Sequence, residues 1–400
     1  MIKRFFKNYF ASYQGLPGKA WYLAMVLLVN RSGSMVLFFM SLYLTREMGF
    51  SVVTAGRVLS IYGVGSLIGS WLGGWLTDRW SNMHVQMMSL ISSGFCFIIM
   101  GYCRSLTSIS IMMLITAILT DMFRPANVAA FCEICTEKLR PRGFALMRLA
   151  VNAGLVIGPA AGGFLAVRSY LYIFWVDGLT CLGAALLMYL LFFKYHSSEA
   201  GPSADTNSSG GSPWQDTGYL YILGLVLFLG AVFFQILNTW PLYLRQHYFL
   251  QENQIGSLLA INALIILFVE MPLIHRLEDK NPLGIIRTGL IMMFVGFILL
   301  PLGSTYLFAS VTVIIWTLGE IMIFPLLASA IANRTSDSNR GSYMGLYTFT
   351  FSLSMVISPV AGTWIYEHIG PDWLWGIVGI TVFMIWGGFH YKRMIRLETG

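Results

Sequence analysis

Apolar residues run along this chain in twelve long stretches, parted by short polar breaks that carry Gly, Pro, Asp, Asn or a basic residue. An α-helix needs about 20 mostly apolar residues to cross the hydrocarbon of a bilayer. The pattern therefore predicts membrane helices over 20–44, 54–76, 84–103, 106–130, 143–166 and 169–193. Six more follow over 219–244, 254–274, 284–301, 305–332, 342–366 and 373–391. Between the sets, SSEAGPSADTNSSGGSPWQDT at 197–217 has the composition of a flexible solvated linker. The expected organisation is a six-helix bundle over 1–193, a linker over 194–218 and a second six-helix bundle over 219–400. The first span is too long for a signal-peptide core and lacks a small-residue cleavage site, so it is read as a membrane helix.

The halves repeat. A shift of 200 positions lays Leu42-Tyr43-Leu44 on Leu242-Tyr243-Leu244 and Pro125 on Pro325. It also lays Ile157-Gly158-Pro159-Ala160-Ala161-Gly162 on Ile357-Ser358-Pro359-Val360-Ala361-Gly362. Parallel six-helix repeats are a common plan of secondary transporters, whose substrate site lies between the halves near the midplane.

Composition agrees with a lipid-facing surface. The chain is 56% hydrophobic and 11% charged, against about 25% charged in soluble domains. The net charge of +7 is spread in ones and twos, which excludes nucleic acid as a main partner. Lys and Arg gather on one side, among them Lys3, Arg4, Lys7, Lys138, Arg140, Arg142, Lys194, Lys392, Arg393 and Arg396. Only Arg46, Arg57, Arg104, Arg168 and Arg245 fall on the other. This places both termini in the cytoplasm, with a multi-pass protein in the plasma membrane, the inner membrane of a bacterium. The five cysteines form no disulfide or zinc pattern, and no Walker, HExxH or GxSxG motif is present. Neither an enzyme nor a metal or organic cofactor is expected, and the default state is a monomer.

Polar residues inside the spans need a reason, since a charge at a helix centre costs about 2.5–3.5 kcal/mol to insert. Arg31 lies mid-span beside Asn30. Asp121 and Arg124 are three apart on one face of the fourth span, able to pair as a static unit or to take part in coupling. Arg148 and Asn152 lie in the fifth span, and Gln235, Asn238 and Trp240 in the seventh. Glu270 lies toward one end of the eighth, where gating, packing and coupling roles are all open. Glu320 sits near the middle of the tenth, with no Lys or Arg on its own helix before Arg334. A carboxyl enclosed by apolar groups keeps its proton until a cation, a positive substrate or water reaches it, which is how a proton carrier behaves. The six histidines lie at span ends or in loops, so coupling is expected to rest on carboxylates.

Gly74-Trp75-Leu76-Thr77-Asp78-Arg79 resembles the G-x-L-x-D-R loop motif of the major facilitator superfamily, although Ser81, Asn82 and Met83 depart from the Gly and basic residues that follow it there. Gly154 to Gly163 (GLVIGPAAGG) is similar to the G-x-x-x-G-P-x-x-G-G motif of the family's drug/proton antiporters, and Gly319-Glu320 with Arg340-Gly341 also resembles that branch. The resemblance implies an all-α fold of twelve helices whose first, fourth, seventh and tenth members line a central cavity, with a cytoplasmic latch at Asp78. Arg31, Asn30, Arg124, Gln235, Asn238 and Trp240 then become cavity candidates, and Glu320 and Asp121 proton-coupling candidates. Gly74, Asp78, Arg79, Gly154, Gly158, Pro159, Gly162 and Gly163 become gating elements. Independently of the family, Gly65, Gly69 and Gly73, and Gly154, Gly158 and Gly162, recur every four residues and give two helices a smooth face for close backbone approach. Pro159 removes a hydrogen bond and bends its helix. Asp78 lies at a helix C-terminus, unfavourable for an anion, so a partner is expected in Arg79 or a helix N-terminus.

The leading expectation is a proton-coupled secondary transporter exporting amphipathic or cationic small molecules. The alternative is a symporter importing a small anionic or zwitterionic solute such as a peptide, held by Arg31 and Arg124.

Overall fold

The computed structural model describes residues 15–136, 139–192, 213–277, 280–334 and 340–390. Most of the expected linker lies outside them, as do Lys3, Arg4, Lys7, Lys138, Lys194, Lys392, Arg393 and Arg396. The side chain of Arg340 and the surroundings of Gly341 are likewise undescribed.

The described residues are helical, without strand. The spans are α1 (Gly18–Glu47), α2 (Val52–Thr77), α3 (Asn82–Met100), α4 (Leu106–Ile134), α5 (Arg140–Arg168) and α6 (Tyr170–Phe192), then α7 (Thr217–His247), α8 (Glu252–Leu277), α9 (Pro282–Ile298), α10 (Tyr306–Asn333), α11 (Arg340–His368) and α12 (Pro371–Gly388). Among the described residues, eleven helices are long and apolar enough to cross a membrane; α12 has 18 residues and opens on Pro-Asp-Trp. The ends expected from hydropathy fall within a few residues of those observed.

Three spans are broken. In α1 the helix stops at Ser32 and restarts at Val36. Asp177 of α6 caps the restart, accepting the backbone N–H of Met35 at 3.1 Å and of Val36 at 2.9 Å. These are donors a new helix leaves unpaired. In α4 the break is at Met122, where Pro125 has no N–H to offer the Asp121 carbonyl. In α7 it is at Phe234, whose carbonyl accepts the Asn238 side-chain amide at 2.7 Å. The breaks of α1 and α7 lie 200 positions apart, in the register of the sequence repeat.

Two compact units form. Of the described residues, one holds those up to 36 and from 65 to 192, and the other those from 37 to 64 and from 213 to 390. In the first, α5 lies along α1: a Cβ on Gly154 would stand 2.5 Å from the Arg31 Cβ, and one on Gly158 would stand 3.0 Å from the Ser34 carbonyl. The Gly65, Gly69 and Gly73 face of α2 lies against α4, 2.3–2.6 Å from carbonyls of Leu114, Ile118 and Met122 by the same measure. Both small-residue stripes are thus used for packing inside this unit. In the second unit the α1–α5 arrangement recurs between α7 and α11. Serines replace the glycines there: Ser354 donates to the Leu227 carbonyl at 2.9 Å and Ser358 to the Ala231 carbonyl at 2.7 Å.

Residues 37–64 pack on helices of the second unit. Gly56, Ser60 and Gly63 of α2 face α11, where Ser60 donates to the Val356 carbonyl at 2.6 Å. The Val53 N–H donates to Glu367 at 2.8 Å. The turns after α1 and α7 match: Phe50 N–H reaches the Leu44 carbonyl and Leu250 N–H the Leu244 carbonyl. The left-handed residue is Gly49 in one and Phe249 in the other.

Candidate functional site

In the first unit Asp121, itself half-buried, has a half-buried arginine, Arg31, and an exposed one, Arg124, around it. The α4 break turns its carboxylate toward α2, where the Ser66 hydroxyl donates to it, and Arg31 and Arg124 lie within electrostatic reach. Arg31 is brought there because Gly154 has no side chain to hold α5 away from α1. Asp121 and Arg124, which their spacing makes able to pair, act on each other only at electrostatic range, and Arg31 of α1 adds a second cation at the same acid. Asn30 donates to the Cys181 thiol of α6 at 3.5 Å. Arg148 is exposed on α5 and Asn152 half-buried.

In the second unit Glu320 occupies a different setting. Its carboxylate accepts one hydrogen bond, at 3.0 Å, from the side-chain amide of Asn262 on α8. The same nitrogen donates to the Thr317 hydroxyl at 3.0 Å, and that hydroxyl in turn donates its hydrogen bond to the Val313 carbonyl at 2.6 Å. No charged side chain among the described residues reaches Glu320. Arg287 of α9 donates to the Phe389 carbonyl, Arg334 pairs with Asp216, and Glu367 of α11 takes the Val53 N–H. Glu270 lies on α8 about two turns beyond Asn262 and is buried. The rotation of α10 is fixed next to Glu320: Gly319 meets Gly289 of α9, whose carbonyl would stand 2.5 Å from a Cβ there. Asn262, Thr317 and Ser66 were not singled out by the sequence, because uncharged polar residues are common in spans and their partners are far away along the chain.

Gln235, Asn238 and Trp240, the cavity candidates of α7, are 4%, 3% and 0% exposed and so face no open space in this structure. Gln235 is a staple between helices. Its amide donates to the Ser358 carbonyl at 3.0 Å, its oxygen accepts from Thr239 at 2.7 Å, and it fills the hollow left by Gly362. Asn238 serves the α7 break. Of the gating candidates, Pro159, Gly162 and Gly163 are buried on α5, which stays continuous through the proline. Gly74 has open space around it. Asp78 is exposed and, among the described residues, has no ion pair; its expected partner Arg79 lies over the Trp75 ring at 4.0 Å instead.

Where α1 and α7 end, Arg46 forms an ion pair with the buried Glu252 of α8, and Arg245 stands 3.8 Å from the same carboxylate. No group of three His, Cys, Asp or Glu residues suited to a metal occurs among the described residues.

Comparison with known proteins covers nearly the whole chain. Residues 23–359 match the family described as Major Facilitator Superfamily. An uncharacterized MFS-type transporter of Bacillus subtilis, YqjV, is 24% identical over 92% of this chain and 91% of its own. A Na(+), Li(+), K(+)/H(+) antiporter of Planococcus maritimus is 23% identical over 92% and 93%. Multidrug resistance protein 2 of Bacillus subtilis is 22% identical over 85% and 88%. Among solved structures, a peptide transporter POT in complex with sulfate aligns with a TM-score of 0.83 over 97% of each chain at 13% identity, a likeness of fold.

Proposed function

This chain belongs to the major facilitator superfamily, and from that premise we propose that it is a proton-coupled exporter of amphipathic or cationic small molecules, with Glu320 as its coupling acid. The observation that carries the reading is that Glu320 meets a neutral donor, Asn262, and, among the described residues, no cation. A proton arriving at or leaving Glu320 breaks no ion pair, so the exchange is free to answer a positive substrate or the membrane potential. A proton at Asp121 would instead change a balance already struck with Arg31 and Arg124. Asp121 accordingly holds the arginines in place.

Relatives described as an antiporter of alkali cations and protons and as a multidrug resistance protein support exchange of a positive solute for protons. Import of a carboxylate-bearing solute would need Arg31 and Arg124 available to it, and Asp121 already offsets part of their charge. Alternating access moves the two six-helix halves about a midplane site, in the plasma membrane of a bacterial cell, with both termini inside and the protein acting as a monomer.

The test is transport in proteoliposomes under an imposed pH gradient, following a fluorescent lipophilic cation and a labelled dipeptide. The native protein is expected to move the cation against the proton flow, and Glu320→Gln to stop uphill movement while retaining exchange. Uphill transport that survives Glu320→Gln would remove the coupling role. Movement of the dipeptide with the protons would overturn the export reading.

A further inference from the structure

We infer that Glu320, Thr317 and Asn262 form an oxygen-lined site for a small monovalent cation, Na⁺ or Li⁺, which competes there with the proton. The inference rests on the reading of Glu320 as an exchangeable acid and gives that acid a second ligand.

Thr317 and Glu320 are three residues apart on α10 and so share a face. Because the Thr317 hydroxyl hydrogen is spent on the Val313 carbonyl, its lone pairs turn the other way, toward Asn262. The Glu320 oxygen turns to the same place. Both lie 3.0 Å from one nitrogen, which holds them together by donating to each. What stands at that point must be positive toward both oxygens, and at present the two N–H groups of an amide supply that. Rotating the Asn262 side chain by half a turn about its terminal bond exchanges those donors for a carbonyl oxygen. Three oxygens of three kinds, carboxylate, hydroxyl and amide, would then surround a gap that nothing positive fills.

Hard oxygen donors suit alkali and alkaline-earth ions and not the metals that favour nitrogen and sulfur. Charge separates the remaining classes. Sites for divalent ions carry more than one carboxylate or bring further oxygens, whereas among the described residues Glu320 is the one carboxylate at this place and Glu270 stands about two turns from Asn262 along α8. One negative charge in apolar surroundings balances one positive charge. The proton and a monovalent ion are thus alternative neutralisers of the same group. With the proton, Asn262 keeps its donors on the site; with the ion, it presents its oxygen.

The full-length protein in detergent can be titrated with NaCl or LiCl at an ionic strength held constant by choline chloride, reading melting temperature and protons released into weakly buffered solution. Na⁺ or Li⁺ is expected to raise the melting temperature where choline does not, and to release protons. Its midpoint should rise about tenfold for each unit by which pH falls while Glu320 carries its proton, since one ion displaces one proton. Thr317→Val should raise the midpoint about tenfold or more, and Thr317→Ser, which keeps the hydroxyl, should restore it. Sodium and lithium acting as choline does, a midpoint that ignores pH, or Thr317→Val titrating as the native protein would each overturn the site. The coupling role is read separately, from uphill transport by Glu320→Gln, so either idea can fail while the other stands.

Discussion

Asp177 accepts the backbone N–H of Val36 at 2.9 Å from 141 positions away. A carboxylate inside a membrane helix usually suggests transport chemistry, yet this one closes a gap in α1. With Met35 also donating to it, it does for the restarted helix what a local Ser or Asp does at an ordinary N-terminus.

Removing that cap should therefore lower stability and leave coupling intact. Asp177→Ala is expected to cost about 1.5–3 kcal/mol, the range for hydrogen bonds to a charged group, and Asp177→Asn less, because its oxygen still accepts. Thermal unfolding of the purified variants checks the order. The pH dependence of transport in Asp177→Asn should match that of the native protein.

The motif glycines should separate into two kinds. Gly154→Ala forces a methyl group against Arg31 and the α1 backbone, and overpacking of this sort costs about 1–3 kcal/mol. Gly74→Ala meets nothing within 4 Å and should gain up to about 1 kcal/mol from helix propensity. Denaturation midpoints of the two variants, measured side by side, test the contrast.

Phe249 adopts φ +54° and is 81% exposed, while the matching residue of the other repeat is Gly49 at φ +69°. The left-handed region costs a non-glycine residue about 1–2 kcal/mol. Phe249→Gly is thus expected to raise the melting temperature, and Gly49→Phe to lower it; calorimetry on both gives opposite signs if the turns are equivalent.

Asp216 caps α7 through the Tyr219 N–H and pairs with Arg334, whose guanidinium bonds hold its carboxyl below the usual carboxylate range. A carboxyl whose folded-state pKa is lowered stabilises the protein above its unfolded value, about 3.9. That contribution is lost as pH falls through the folded value. The difference in melting temperature between the native protein and Asp216→Asn should hold steady from neutral pH down to about pH 5 and shrink below it. A gap that widens on acidification would contradict the pairing.

The helical ladder was legible in the sequence because hydropathy along a span depends on lipid and on little else. The repeat was legible because Pro359 and Gly362 still answer to Pro159 and Gly162. The candidate charges were visible too, since a Glu or Arg within twenty apolar residues stands out. Their surroundings were not. Glu320 reads as unpartnered because its donor Asn262 is 58 positions away and uncharged. Gln235 and Asn238 read as lining a cavity because they are polar at mid-span, whereas Gln235 bonds α11 and Asn238 repairs its own helix. Spacing along one helix predicts neighbours on that helix; it says nothing of the helix lying alongside.

The α1–α5 and α7–α11 seams occupy the same register in the two repeats and are fastened differently. Gly154 and Gly158 themselves offer α1 shape and no hydrogen bond, so at those two positions α5 can exchange one backbone contact for a similar one. At Ser354 and Ser358 each step must first break a hydrogen bond, worth about 0.6 kcal/mol between membrane helices. The two repeats thus carry the same bearing in two versions, one smooth and one riveted. The compliance of the molecule is therefore lopsided, with the glycine-lined copy the one that yields under load.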